Sequence, residues 1–200
     1  MIAPASASVI PPEDGTVIAR TQVWLERAVI GLNLCPFAQA AHVRQQIRYY
    51  VSPARSTRAL LAELGDELRA LAAADPNQCE TTLLIHPQVL EDFLDYNRFL
   101  GDADTLLRRL NYEGIFQLAS FHPQYQFAGT EADDITNHTN RSPYPMLHLL
   151  REASVTAAVS GPEDSARIVD RNLATLRRLG REGWRRLKIP TSDPTDPAGS

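Results

Sequence analysis

Two histidines occupy equivalent places in this chain, each closing a short apolar run and each followed by proline: Leu83-Leu84-Ile85-His86-Pro87 and Ala119-Ser120-Phe121-His122-Pro123. A third run, Tyr49-Tyr50-Val51-Ser52-Pro53, ends the same way on a serine. Imidazole titrates near neutral pH, so a pair of histidines brought together can bind a transition metal or act as acid and base. Proline donates no amide to a ladder and holds the residue before it extended, which places each histidine at the end of a strand. Ser52 and His86 lie 34 residues apart and His86 and His122 lie 36 apart, with a helix-like stretch in each gap. This is the rhythm of successive βα units. Parallel strands would bring all three ends to one sheet edge, where open α/β sheets bind ligands. The histidines would lie about 5 Å apart on neighbouring strands, or about 10 Å apart with one strand between them.

A metal held there would be a divalent transition ion, zinc or iron, and would need a third ligand. Asp95 is the carboxylate expected to supply it, with Asp92, Asp133, Asp134, Glu152 and His148 as further candidates. The competing reading is that His-Pro only ends a strand and the imidazole caps a backbone carbonyl. A second constellation is Asn137-His138-Thr139-Asn140-Arg141-Ser142-Pro143-Tyr144-Pro145. Arginine ahead of an expected helix start combines a planar cation with unpaired amides, which makes Arg141, with Asn140, a contact for a carboxylate or phosphate. Tyr125 and Asn97 are expected to line the same pocket, although Tyr125 could equally be a packing residue. Asn137-His138-Thr139 has the form of a glycosylation acceptor, an accidental match in a cytosolic chain.

The third candidate is Cys35, before Pro36. At the C-terminal end of a helix a thiol feels the unfavourable end of the dipole, so a nucleophilic or redox role needs a neighbouring cation or histidine. A buried inert thiol is the competing reading.

The elements that must position these residues follow from periodicity. Trp24, Ala28 and Leu32, widened by Leu25 and Val29, predict a helix over 16–34. Residues 46–51 read as the first strand. Leu60, Leu64, Leu68 and Leu71 stripe a helix capped by Ser56 or Thr57 and closed at Asp75-Pro76. Residues 81–85 form a continuous apolar strand, 89–110 a helical region, and 115–121 a third strand. Residues 123–143 form a long polar connection, and helices are predicted over 144–159 and 164–179. The expected fold is a single α/β domain over 16–187. Its small, mostly parallel sheet has three or four strands, helices packed around it and two C-terminal helices. Residues 1–15, with prolines at 4, 11 and 12, read as a disordered leader and 188–200 as a disordered tail.

Composition narrows the functional classes. A 200-residue chain with 44% hydrophobic residues and a formal charge of −4 suits one globular core. The acidic balance argues against nonspecific nucleic-acid binding. No stretch reaches the roughly 20 apolar residues of a membrane span, and no secretory signal opens the chain. These features point to a cytoplasmic protein with Cys35 and Cys79 as free thiols.

The strings from Trp24 to Phe37 (WLERAVIGLNLCPF), from Phe93 to Asn97 (FLDYN) and from Asn140 to Pro145 (NRSPYP) resemble those of the bacterial domain-of-unknown-function family 1415. The resemblance covers about residues 17–187 and implies a single-domain protein. It transfers no reaction, and it implies that the Cys35, His86, His122 and Arg141 segments belong to one family pattern. The leading expectation is an enzyme acting on a small anionic metabolite, with His86 and His122 as metal ligands or acid/base pair and Arg141 holding the substrate. The alternatives are a Cys35-dependent thiol or redox enzyme and a non-catalytic ligand-binding or assembly module.

Overall fold

The computed structural model describes residues 12–158 and 162–192. Helix α1 (Pro12–Trp24) runs on without a break into a π-helical segment, Leu25–Ile30, in which Gly31 N–H donates to the Glu26 carbonyl and Leu34 N–H to that of Val29. The short helix α2 (Ala38–Val43) leads to β1 (Ile47–Val51). Helix α3 (Thr57–Ala73), β2 (Thr81–Ile85), α4 (Phe93–Arg109) and β3 (Phe116–Phe121) follow in alternation. Ser56 caps α3 through Ala59 N–H, and Asp92 caps α4 through the amides of Leu94 and Asp95, so α4 begins later than its apolar pattern suggests.

The connection after β3 contains a 3₁₀ turn, Ile135–Thr139, and then β4 (Met146–Arg151). Here the sequence reading is corrected, because residues 146–151 form a strand where a helix over 144–159 was expected. The helix that follows, α5 (Glu152–Ala158), is shorter, and α6 (Pro162–Arg186) closes the fold with a kink at Gly180, where φ is 65°. Met146-Leu147-His148-Leu149-Leu150 lies inside the sheet, covered on both faces, so it lacks the polar alternation that marks a half-exposed strand. Pro143 and Pro145 bring the chain extended into this strand, and the Pro145 carbonyl accepts from His86 N–H.

The strand order is β1-β2-β4-β3, with β1 and β2 parallel and β4 antiparallel to both its neighbours. Strands β1, β2 and β3 therefore point the same way. Ile85 and Phe121 both pair with Met146, so His86 and His122 end their strands at the same level with β4 between them. One face of the sheet packs Leu84, Leu147 and Leu149 against Leu60, Leu64, Leu68, Tyr96 and Phe99 of α3 and α4. The other packs Leu83, Ile85 and Met146 against Trp24, Leu25, Ala28 and Val29. Both faces being covered accounts for the unbroken apolar character of β2, all five of whose residues are buried.

Among the described residues no helix is long and apolar enough to cross a membrane. Residues 1–11 of the expected leader and 193–200 of the expected tail lie outside the described residues. Residues 12–15 begin α1, and Ile189 packs on the Trp24 cluster.

Candidate functional site

The strand ends meet around Tyr96. This fully buried side chain stacks on the His86 ring (centroids 5.7 Å apart) and lies 5.1 Å from that of His122. Its hydroxyl donates to the Met146 carbonyl (2.8 Å) and accepts from Phe121 N–H (3.0 Å), tying the intervening strand to its neighbour. The expected convergence of the two histidines thus takes the form of a tyrosine standing against both rings.

The histidines themselves are sealed, with relative exposures of 0% and 1%. His86 Nδ1–H donates to the Val89 carbonyl at 2.9 Å, and His122 Nε2–H donates to that of Leu90 at 3.1 Å. His122 Nδ1 accepts from Gln124 N–H (3.0 Å), which leaves His86 Nε2 as the one ring nitrogen of the four without a hydrogen bond. Burial pushes His86 down to about 4, a shift that the Val89 carbonyl opposes, and it pushes His122 down as well. Both rings are neutral at physiological pH. Ser52 is buried at the same edge, its hydroxyl donating to Glu63 and accepting from Ala54 N–H.

Other expected partners lie apart from this cluster. Asp95 faces solvent in an ion pair with Arg98, and Asn97 is exposed on α4. No group of three or more His, Cys, Asp or Glu side chains among the described residues is arranged to hold a metal ion. Tyr125 packs between Phe93 and Phe127, its ring tilted against the first and edge-on to the second. Arg141 precedes a strand, not a helix. Its guanidinium donates to the carbonyls of Tyr125 and Ala132, and its own carbonyl accepts from Trp24 Nε1 (2.8 Å). Asn140 donates from Nδ2 to the Ser120 carbonyl (3.0 Å), and its carbonyl accepts from His122 N–H. Asn137 is wholly buried, Oδ1 accepting from Phe127 N–H and the Thr130 hydroxyl and Nδ2 donating to Glu131 O, so it organises the loop from within.

Cys35 opens a different region. A cavity of about 550 Å³ lies between the end of the π-helical segment, the 3₁₀ turn and α6. Val29, Leu34, Phe121, Phe127 and Leu173 supply apolar walls, while Cys35, Thr130, Thr136, Thr139, Asn140, Asn172 and Arg177 supply polar groups. Val169 sits in its wall at 56% exposure, an apolar side chain left open to solvent. Asn172 donates from Nδ2 to the Leu34 carbonyl (2.8 Å), while its buried Oδ1 has no protein partner. Asp134 also lines the cavity, but one of its oxygens is taken by the amide and hydroxyl of Thr136.

The dipole argument for Cys35 is reversed. The residue lies beyond the π-helical segment and just before α2, where Ala38 N–H donates to its carbonyl and the Phe37 and Ala38 amides favour the thiolate. Burial nonetheless outweighs them and pushes the thiol above its ordinary range, so Cys35 carries its proton at neutral pH. Both cysteines are free.

Sequence reasoning missed Asn172, the three threonines and the position of His148. His148 lies between the sheet and the helices with part of its surface open, Nε2–H donating to Thr81 Oγ1 (2.7 Å), which donates in turn to the Leu149 carbonyl. Its neighbour Arg151 is half-buried and donates to the carbonyls of Leu71, Ala74 and Cys79. A signal for Asn172 was present. With Val169, Leu173 and Leu176 it shares one face of α6 at helical spacing, a polar residue in an apolar stripe.

The family model described as "Protein of unknown function (DUF1415)" matches residues 16–186. No curated protein and no solved structure gives a match.

Proposed function

We propose, for a chain that belongs to the DUF1415 family and takes no assigned reaction from it, that the Cys35 cavity binds a small molecule with an anionic end. The observation that carries this reading is the unpartnered, buried Oδ1 of Asn172, a residue lining a cavity that also holds a protonated thiol. An orphaned acceptor is costly unless a donor completes it. A hydroxyl or N–H group of a ligand would be that donor. The volume lies within the range of small-molecule sites, and apolar walls with a few convergent polar groups are their usual lining. Arg177, whose guanidinium is exposed, offers a contact for a carboxylate or phosphate. In this reading His86, His122 and Arg141 are structural, because their polar atoms largely face backbone groups.

Thiol chemistry at Cys35 is the second reading, favoured by the Phe37 and Ala38 amides, which draw the thiol down against the larger effect of burial. Saturation-transfer NMR with short aliphatic and aromatic 2-hydroxycarboxylates, whose hydroxyl can donate to Asn172 Oδ1 while the carboxylate meets Arg177, tests the first. It would compare the Cys79→Ser protein before and after alkylation of Cys35 by N-ethylmaleimide. Binding that disappears on alkylation, and weakens at least about tenfold in Asn172→Ala, is the expected result. Acids that bind equally well to the alkylated protein, or a Cys35 that reacts only after unfolding, would remove the reading. A reaction rate that already saturates below the ordinary thiol range, about pH 8.5, would promote the second reading over the first.

A further inference from the structure

Beneath Cys35 lies a second space. A chamber of about 110 Å³ sits between the sheet and the α1–α2 layer, lined from the sheet by Thr81, Leu83, Ala119, His148 and Leu150. These alternate along their strands, as residues of one sheet face must, and Leu83 and Ala119 both pair with His148 across the ladder. The opposite wall is α2, where Ala38 and Ala41 face the sheet. Alanine on both sides is the reason the layers leave a void, since larger side chains at these places would close it. His148 is the chamber's one titratable side chain besides Cys35. Its Nε2–H is committed to Thr81, so Nδ1 is left as an acceptor on a ring that lines the space.

Val29, Cys35 and Phe121 line both the chamber and the outer cavity. One layer of side chains separates the two spaces, and the thiol belongs to that layer. Enclosed apolar voids of about 150 Å³ stay dry and take up benzene, so a void of this kind attracts apolar matter in preference to water.

We propose that the inner chamber receives the apolar end of the ligand, a single ring or branched alkyl group passing the Cys35–Phe121 partition while in the outer cavity the anionic end meets Arg177 and a neighbouring hydroxyl of the ligand donates to Asn172 Oδ1. This rests on the outer cavity being a ligand site, and it narrows the ligand to a compact amphipathic acid. The walls select for shape and apolarity at one end and for charge at the other. Phe121 packs edge-on against Trp24 and can admit the group by turning toward the outer space. The thiol then lies beside the middle of the bound molecule.

The test uses the full-length protein and three acids that share a 2-hydroxycarboxylate: 2-hydroxypropanoate, 2-hydroxy-4-methylpentanoate and 2-hydroxy-3-phenylpropanoate. Methyl resonances of Leu83 and Leu150 report the chamber, and those of Val169 and Leu173 report the outer cavity. At least about tenfold tighter binding of the two larger acids than of 2-hydroxypropanoate is expected, with shifts at Leu83 and Leu150, and Ala119→Leu should erase that preference. Ala41→Leu narrows the chamber from the other wall and serves if the first variant does not fold. Equal affinity for all three acids with shifts confined to Val169 and Leu173 would overturn the chamber while leaving the outer site in place. A preference that survives both filling variants overturns it too, and no binding by any acid overturns both.

Discussion

The sheet edge and the Cys35 cavity are both built from polar residues set among apolar ones, and they differ in what those polar atoms face. At the edge, Ser52, His86, Tyr96 and His122 turn nearly every donor and acceptor toward backbone or side-chain groups of the same chain, with no opening to solvent. Around Cys35 an acceptor is left over, an apolar side chain is exposed, and there is room for a guest. A histidine at the carboxyl end of a strand is thus insufficient to mark a binding site. Each region leaves one acceptor unused, His86 Nε2 at the edge and Asn172 Oδ1 by the cavity, and what distinguishes them is that only the second lies on a residue bordering space for a guest.

The largest expected effect separating them is acid lability. His86 is held neutral with a value near 4 against an unfolded value of 6.5. As pH falls below about 6.5 the unfolded chain takes up a proton that the native ring refuses, so this contribution to stability declines until about pH 4 and is flat below it. It amounts to about 3 kcal/mol; burial pushes His148, in the inner chamber, and His138 down in the same way, so the site-resolved titration of His86 is what distinguishes the edge. Urea unfolding measured across this range, with imidazole nitrogen shifts recorded in parallel, should show His86 neutral in the folded protein down to about pH 4. A His86 that protonates in the folded protein near its ordinary value of 6.5 would mean that the edge is hydrated and the contrast fails.

Tyr96→Phe comes next. The substitution keeps the ring between the histidines and removes one hydroxyl, stranding the Met146 carbonyl and the Phe121 amide in a closed interior. A loss of about 2 kcal/mol in urea unfolding is expected. A loss below about 0.5 kcal/mol would show that water reaches these groups and that the edge is as open as the cavity.

Much of this contrast was hidden from a reading of the sequence, for physical reasons that differ by region. The prolines after Ser52, His86 and His122 made the three parallel strands and their shared edge legible, because a missing amide acts locally. Strand β4 was not legible: a short apolar run covered on both faces carries no period that separates strand from helix. With β4 unseen, nothing indicated that Tyr96 would reach between the histidines to a carbonyl on that strand. Cys35 could be singled out by type, but its setting depends on a π-helical turn, on a loop held by Asn137 and on α6 returning from the far end of the chain. Asn172 announced itself only as a polar residue within an apolar stripe. Ala38, Ala41 and Ala119 gave no signal at all, since three alanines matter only once folding sets them face to face.

The smallest expected effect is the sharpest check on the comparison. Cys35→Ala removes a sulfur that borders existing empty space on two sides, so the deletion merges with cavities already present and exposes no sealed group beyond the Phe37 and Ala38 amides. In a closed core the same kind of truncation leaves a new void with a cost that scales with its volume. Here the stability change should stay below about 1 kcal/mol, less than for Tyr96→Phe despite the loss of a heavier atom. Chemical denaturation of the two variants side by side reads this directly. If Cys35→Ala proved as damaging as Tyr96→Phe, the thiol would belong to the packed interior as the histidines do, and the two regions would differ in composition alone.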